Sequence, residues 1–213
     1  MHEARERIEM LRRLLSLLPI ETLDGYEHPE LVDVIFRKTI AYQPTGKWSE
    51  NAATVLDFGG GCGLHYKEAN LNAKWAVVET PAMVARAREL ETDQLRFFTR
   101  IEDAGLWLGD IDLMHSNGAI QYVPDPIRTI RELCSIGAKQ MLWHRLLIGD
   151  GKKRTQVSRL TDNGPGHIPQ IHKRVAYEET PINESEFLKA HHLYSLTSRG
   201  ADWFRFSARA LPE

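Results

Sequence analysis

Cysteine is scarce in this chain of 213 residues, and no charge of either sign dominates. The only cysteines, Cys62 and Cys134, give no support to a disulfide framework, and no Cys-x-x-Cys or His-x-x-x-His spacing indicates a zinc site. A net charge of -2 gives no general attraction to nucleic acid or to an anionic membrane. We therefore predict no metal, no nucleic-acid or membrane partner, and a place in the reducing cytoplasm.

Long apolar runs are also lacking. No run approaches a membrane span, and charged residues near the N-terminus replace the layout of a signal peptide. The length and 42% hydrophobic content fit a single compact domain. Within it, we predict an N-terminal helical cap segment over residues 1–50 and the main domain over residues 51–213.

Two helical patterns occupy the predicted cap segment. The first has apolar residues at helical spacing from Ile8 to Leu18, and the second extends from Leu31 to Ile40. Core packing is the default interpretation of the first helix. A homodimer contact or a lid over a ligand is the sharper alternative.

The most informative segment is a strand that runs into a glycine-rich loop. Val55, Leu56 and Phe58 predict a strand buried on both faces. The glycines that follow it are Gly59, Gly60, Gly61 and Gly63. They let the backbone turn sharply and approach a ligand that a Cβ atom would exclude. A strand, a glycine loop and a helix in this order are typical of a cofactor site.

Two cofactor classes compete for this loop. A dinucleotide fingerprint needs a small residue where this chain has Leu64, and Asp57 would repel a pyrophosphate. The same carboxylate suits an ammonium group. The series Asp57-x-Gly59-x-Gly61-x-Gly63 resembles motif I of the class I S-adenosylmethionine-dependent methyltransferases. The resemblance implies that the loop wraps the amino-acid end of that cofactor.

A second buried strand, over residues 75–79, ends in Glu79, which lies 20 residues beyond Gly59. A carboxylate at this spacing suits the two hydroxyls of a ribose. Thr80 and Pro81 then provide a cap and a first turn for a helix.

Strands and helices continue to alternate along the chain. The other predicted strands cover residues 95–98, 111–115 and 140–144, with closing strands near 193–197 and 202–208. This alternation predicts an α/β, Rossmann-like, doubly wound and mostly parallel sheet with helices on both faces. The resemblance implies seven strands, of which the last is antiparallel. Residues 148–175 interrupt the pattern, and we predict an irregular loop there that acts as a substrate lid, with a disordered surface excursion as the alternative.

Several short pieces together resemble one bacterial branch of the methyltransferase superfamily whose substrate is not established. They are Gly25-Tyr26, the glycine loop with His65-Tyr66, Val77-Val-Glu79 with Pro81, residues 95–98 and 118–122, Arg145 and Gln156. The resemblance implies a pocket floor formed by Tyr66, Gln121 and Tyr122. Histidines are the candidate bases, because an imidazole titrates near neutral pH. Among the nine, the resemblance favours His65.

The predicted site combines these assignments. The cofactor-binding residues are Asp57, Gly59, Gly60, Gly61, Gly63, Glu79, Thr80, Ser116 and Asn117. The catalytic candidates are His65 and Arg145, and the substrate-binding candidates are Tyr66, Gln121, Tyr122 and Gln156. Packing, capping or solvent exposure is the alternative explanation for each of these residues.

The functional prediction is S-adenosylmethionine-dependent methylation, at oxygen, of a small or medium-sized acceptor such as a glycan-like molecule. The alternative is a regulatory or scaffold protein that binds the cofactor without transferring the methyl group. NAD-linked oxidoreduction is the third option.

Overall fold

A seven-stranded sheet forms the centre of the protein, for which a computed structural model describes residues 20–209. Its strands are β2 (Thr54–Phe58), β3 (Lys74–Val78), β4 (Leu95–Phe98), β5 (Leu113–Asn117), β6 (Gln140–His144), β9 (Tyr194–Arg199) and β10 (Phe204–Ala208). Their order across the sheet is β4-β3-β2-β5-β6-β10-β9. The pairs from β4 to β6 are parallel, and β10 is antiparallel to both of its neighbours. The predicted topology is confirmed.

Helices cover both faces of this sheet. They are α2 (Leu64–Ala69), α3 (Pro81–Ala87), α4 (Ile101–Leu108), α5 (Pro126–Ser135) and α6 (Glu184–Ala190), preceded in the chain by α1 (Pro29–Ala41). Successive residues of a strand point to opposite faces. Accordingly, Leu56 belongs to one buried apolar cluster and Val55 to a second. The uninterrupted apolar strands in the sequence reflect this double burial.

The helix starts follow local chemistry. The Thr80 hydroxyl accepts the backbone N–H of Met83 at the start of α3, and the Asn183 side chain does the same for Glu186 in α6. Asp125 caps α5 in the same way. Each such cap satisfies a backbone donor that has no partner within the helix. The predicted cap and first turn at Thr80-Pro81 are therefore confirmed.

A second, three-stranded sheet lies beside the first. It consists of β1 (Thr22–Asp24), β8 (Arg174–Glu179) and β7 (Arg154–Arg159), in the order β1-β8-β7. The prediction that residues 148–175 form an irregular loop is therefore wrong, because this stretch includes all of β7 and the start of β8. Strand β7 pairs antiparallel with β8, and most of its residues are exposed, so its sequence carries little apolar alternation.

Lys38 of α1 fixes the segment that follows β7. Its Nζ atom donates hydrogen bonds to the carbonyl oxygens of Thr161, Asn163 and Gly164, at 2.7, 2.9 and 2.6 Å. Burial lowers the pKa of this lysine, which is 3% exposed. A buried ammonium group needs acceptors, so these three carbonyls bind helix and segment together.

The described part of the N-terminal segment contains the predicted second helix, α1, and also strand β1, so the segment is not purely helical. The pattern from Ile8 to Leu18 lies outside the described residues. The domain boundary at residue 50 and the homodimer contact stay predictions. Over residues 20–209, no helix has the length and apolar character needed to cross a membrane.

Candidate active site

The glycine loop after β2 is shaped by close contacts that exclude side chains. Gly59 has a φ of 71°, and a Cβ atom there would lie 2.0 Å from the Cβ atom of Ala119, which follows β5. A Cβ atom on Gly60 would lie 2.3 Å from Oδ2 of Asp57. The loop therefore packs onto the carboxyl ends of β2 and β5, where open α/β sheets bind ligands.

Asp57 lies beneath this loop with no exposed surface. Its carboxylate is 2.9 Å from Nδ1 of His65 and 2.9 Å from Nδ1 of His115, and Trp75 donates from Nε1 at 3.4 Å. Burial alone would raise the pKa of Asp57, but the two histidines outweigh burial and hold that pKa far below its usual value. All these hydrogen bonds stay within the protein, so contact between Asp57 and a cofactor ammonium group stays a prediction.

His65 lies in the first turn of α2, and Asp57 orients its ring. Its Nε2 atom lies 3.3 Å from Nδ2 of Asn117, at the end of β5. With Nδ1–H donated to Asp57, Nε2 keeps a lone pair and accepts from this amide. Burial lowers the pKa of His65, but the charge and hydrogen bond of Asp57 exceed that effect and raise it. The imidazole is thus more basic than an ordinary histidine.

Glu79 follows β3 and joins the loop to the neighbouring strand. Its Oε1 atom accepts the backbone N–H of Gly61 at 3.0 Å, and its Oε2 atom accepts that of Thr80 at 2.9 Å. Burial raises the pKa of this carboxyl group above its usual value, against the lowering effect of the two hydrogen bonds. Glu79 therefore lies beside the loop with its carboxylate already oriented by main-chain donors.

The end of β5 carries buried polar atoms that lack partners among the described residues. They are Oγ of Ser116, Oδ1 of Asn117 and Oε1 of Gln121. A buried acceptor or hydroxyl without a hydrogen bond is costly. A polar ligand at this strand end would supply the missing partners.

Arg145 follows β6 at the same edge of the sheet. Its φ is 50°, which is rare for a residue with a side chain. The side chain is exposed, and its guanidinium lies against Gly118. The Nε2 atom of Gln121 donates to the Arg145 carbonyl oxygen at 3.3 Å. The structure thus brings Arg145 to the predicted pocket residue Gln121.

Three tyrosines join the small sheet to this edge. The rings of Tyr26, Tyr122 and Tyr177 pack with centroids 4.8 to 5.3 Å apart. Tyr122 also donates from its hydroxyl to Oε1 of Gln156 in β7 at 2.8 Å. The predicted substrate residues Tyr122 and Gln156 are therefore in contact, although the loop that was predicted to carry Gln156 is a strand.

Tyr66, the remaining predicted substrate residue, is not part of this tyrosine cluster. Its ring packs edge-on against Trp75, and it lines a cavity of about 530 Å³ with Cys62 and Leu95. A substrate role for Tyr66 stays a prediction.

Two further residues of this region are absent from the predicted site. In the sequence, His115 is one of the eight histidines other than His65, and no sequence pattern indicates Tyr177. Their roles arise from contacts across strands, since His115 faces Asp57 from β5 and Tyr177 faces Tyr122 from β8.

The side chains of Asp57, His65 and His115 offer metal-ligand atoms within 4.8 Å of one another. The sequence shows no such set, because the three residues come from separate elements. Hydrogen bonds from both imidazoles to one carboxylate account for this geometry without an ion.

Comparisons with known proteins agree with the architecture. No protein-family model matches the sequence, and no curated protein matches it either. Among solved structures, Streptomyces venezuelae DesVI is similar, with 14% identity, a TM-score of 0.52, and coverage of 84% of this chain and 89% of that chain. The CcbJ methyltransferase from Streptomyces caelestis is also similar, with 13% identity, a TM-score of 0.50, and coverage of 88% and 91%. The chain therefore has the fold of the class I S-adenosylmethionine-dependent methyltransferases.

Proposed function

We propose that this protein is an S-adenosylmethionine-dependent methyltransferase that acts at oxygen on a small or medium-sized acceptor. The observation that carries the proposal is the glycine loop, which is hydrogen-bonded through Gly61 to Glu79 at the carboxyl ends of two neighbouring parallel strands. The methyltransferase fold supports it. When bound, the cofactor supplies a methyl group on a sulfonium.

The residues of this edge fit such a cofactor. The close packing at Gly59 and Gly60 keeps the loop backbone free of side chains, so its main chain can lie against the amino-acid end of the molecule. Glu79 is oriented to accept hydrogen bonds from ribose hydroxyls, next to Thr80. Ser116 and Asn117 contribute the polar atoms that lack partners in the described structure. These requirements match a polar nucleoside ligand.

His65 is the base in this proposal. An alcohol keeps its proton near neutral pH, so methyl transfer to it needs a proton acceptor. Asp57 holds the imidazole at Nδ1 and leaves Nε2 basic, while the Asn117 amide occupies the position that an acceptor hydroxyl would take. Because the pKa of His65 is raised, the neutral form gains population as pH rises, and the rate should increase with pH through that pKa.

Calorimetric titration with S-adenosylhomocysteine tests the cofactor assignment. We expect saturable binding that Glu79→Ala weakens strongly. An absence of saturable binding by the folded protein would contradict the proposal.

A second experiment tests transfer. The protein is incubated with labelled S-adenosylmethionine and a panel of hydroxylated acceptors, and His65→Asn should keep cofactor binding while lowering turnover about 100-fold. Equal turnover by both proteins would exclude His65 as the base. Tight cofactor binding without any methylated product would support the regulatory or scaffold alternative.

A further inference from the structure

Arg145 has a backbone conformation that is rare for a residue with a side chain. It is the first residue after β6 and has a left-handed backbone, with a φ of 50°. Apart from the glycines, only Asn70 shares a positive φ among the described residues, and Asn70 ends a helix, where this conformation is common. Strained backbone is concentrated at functional sites. The strain at Arg145 turns a long cationic side chain toward the end of β5.

The guanidinium of Arg145 lies where Gly118 offers no side chain. A Cβ atom on Gly118 would lie 3.3 Å from Cζ, Nε and Nη2 of Arg145, so the group rests against the glycine backbone. Gln121 holds the Arg145 carbonyl, which fixes the turn from the other side. The hydrogen bond fixes the main chain of Arg145, and the planar guanidinium lies beside Gly118 at this edge of the sheet.

Within residues 20–209, the guanidinium of Arg145 forms no salt bridge with an acidic side chain. Arg154 pairs with Glu179, and Arg205 pairs with Glu50, but no carboxylate of the described chain comes within salt-bridge distance of Arg145. The charge of the guanidinium nevertheless affects the site. It lowers the pKa of both His65 and Tyr122, although other contributions raise each pKa overall. The guanidinium therefore lies near both the proposed base and the tyrosine that contacts β7.

We infer that Arg145 binds an anionic group, a carboxylate or a phosphate, on the methyl acceptor. The inference rests on the proposed function and narrows the acceptor from any hydroxylated small molecule to an acidic one. A guanidinium fork matches both anions because it can donate two parallel hydrogen bonds. The anion would neutralise the unpaired cation and orient the acceptor hydroxyl toward His65.

Nuclear magnetic resonance on protein saturated with S-adenosylhomocysteine tests this inference. The probes are inorganic phosphate and sodium acetate, with glycerol as the neutral control and ionic strength held constant, since salt screens charge. We expect saturable shifts of the Arg145 Nε–H and Gly118 amide signals with at least one anion and none with glycerol. The anion that binds more tightly indicates whether the acceptor carries phosphate or carboxylate.

Arg145→Asn is the principal variant, because asparagine tolerates left-handed backbone and carries no charge. We expect the anion affinity read from the Gly118 amide to fall about tenfold or more, with S-adenosylhomocysteine affinity unchanged. Arg145→Lys keeps the charge but loses the fork, so its loss should be smaller. Arg96→Gln is the matched control, since Arg96 lies on β4 and three strands separate β4 from β6. The anion affinity of this variant should equal that of the unaltered protein.

The outcomes separate the two proposals. Anion shifts that are absent, or that persist equally in Arg145→Asn, overturn the assignment of Arg145 while cofactor binding stands. A folded protein that fails to bind S-adenosylhomocysteine overturns the proposed function instead. If Arg145→Asn does not fold, Arg145→Lys and the titration of the unaltered protein decide.

Discussion

Two neighbouring strands each place one carboxylate at the site: Asp57 lies in β2, and Glu79 follows β3. The two carboxylates differ in their hydrogen-bond partners and in the direction of their pKa shifts. Asp57 is fully buried, faces two imidazoles and has a lowered pKa. Glu79 binds main-chain N–H groups and has a raised pKa. Partners, rather than residue type, therefore set the role of each acid. Asp57 connects the side chains of the site by hydrogen bonds, whereas Glu79 is the acid that we propose binds the cofactor.

The sharpest test of this contrast is Asp57→Ala. The change leaves the buried His115 without its acceptor and His65 without its orienting group, so we expect a loss of about 3–5 kcal/mol of unfolding free energy. Urea denaturation measures it. Asp57→Asn is the control, because the amide oxygen still accepts one imidazole N–H and the loss should be smaller. A stability unchanged to within about 1 kcal/mol would show that the carboxylate is not structural.

The second-largest effect is expected from a substitution in the glycine loop that follows β2. Gly59→Ala adds a Cβ atom 2.0 Å from that of Ala119 at a φ of 71°, so we expect a loss of about 2–4 kcal/mol together with weaker cofactor binding. Gly105→Ala is the matched control. That position lies in α4 with open space around it, and alanine should stabilise the protein by about 0.5–1 kcal/mol. Equal effects of both changes would mean that the Ala119 contact is readily relieved.

Glu79→Ala tests the other side of the comparison. We expect S-adenosylhomocysteine to bind about 10- to 100-fold more weakly, because the variant loses the proposed acceptor for the ribose and leaves the N–H of Gly61 without its partner. Stability should fall less than in Asp57→Ala. Calorimetry and urea denaturation on the same two variants give both readings. If Asp57→Ala and Glu79→Ala change affinity and stability in the same proportion, the division of roles is wrong.

The smallest expected effect is the change of cofactor affinity at low pH. Lowering the pH from about 7 to about 5 should weaken S-adenosylhomocysteine binding, because burial raises the pKa of Glu79 and its carboxylate is protonated at a higher pH than an ordinary glutamate. Asp57 stays ionised over this range, since its pKa is lowered. Glu79→Gln should reduce this dependence, and the remainder should come from His65, whose imidazole also titrates over this range. An identical pH profile in that variant would assign the titration to another group.

Much of the fold was predictable because it rests on local patterns. Strand β2 carries apolar residues toward both faces since both faces are covered, and Thr80 with Pro81 marks the start of α3. Strand β7 escaped prediction because its stability comes from pairing with β8 rather than from its own exposed residues. The role of Lys38 was hidden for the same reason, since its acceptors lie more than 120 residues away.

By itself, the sequence determined the alternation of strands and helices, the glycine loop and the acids that flank it, because apolar period, backbone freedom and spacing are local properties. The tertiary structure decided which atoms each acid contacts. Only the packed sheet brings His115 from β5 to Asp57 and turns Arg145 toward Gly118. Distances across strands depend on sheet order and register, which no single segment of the chain encodes.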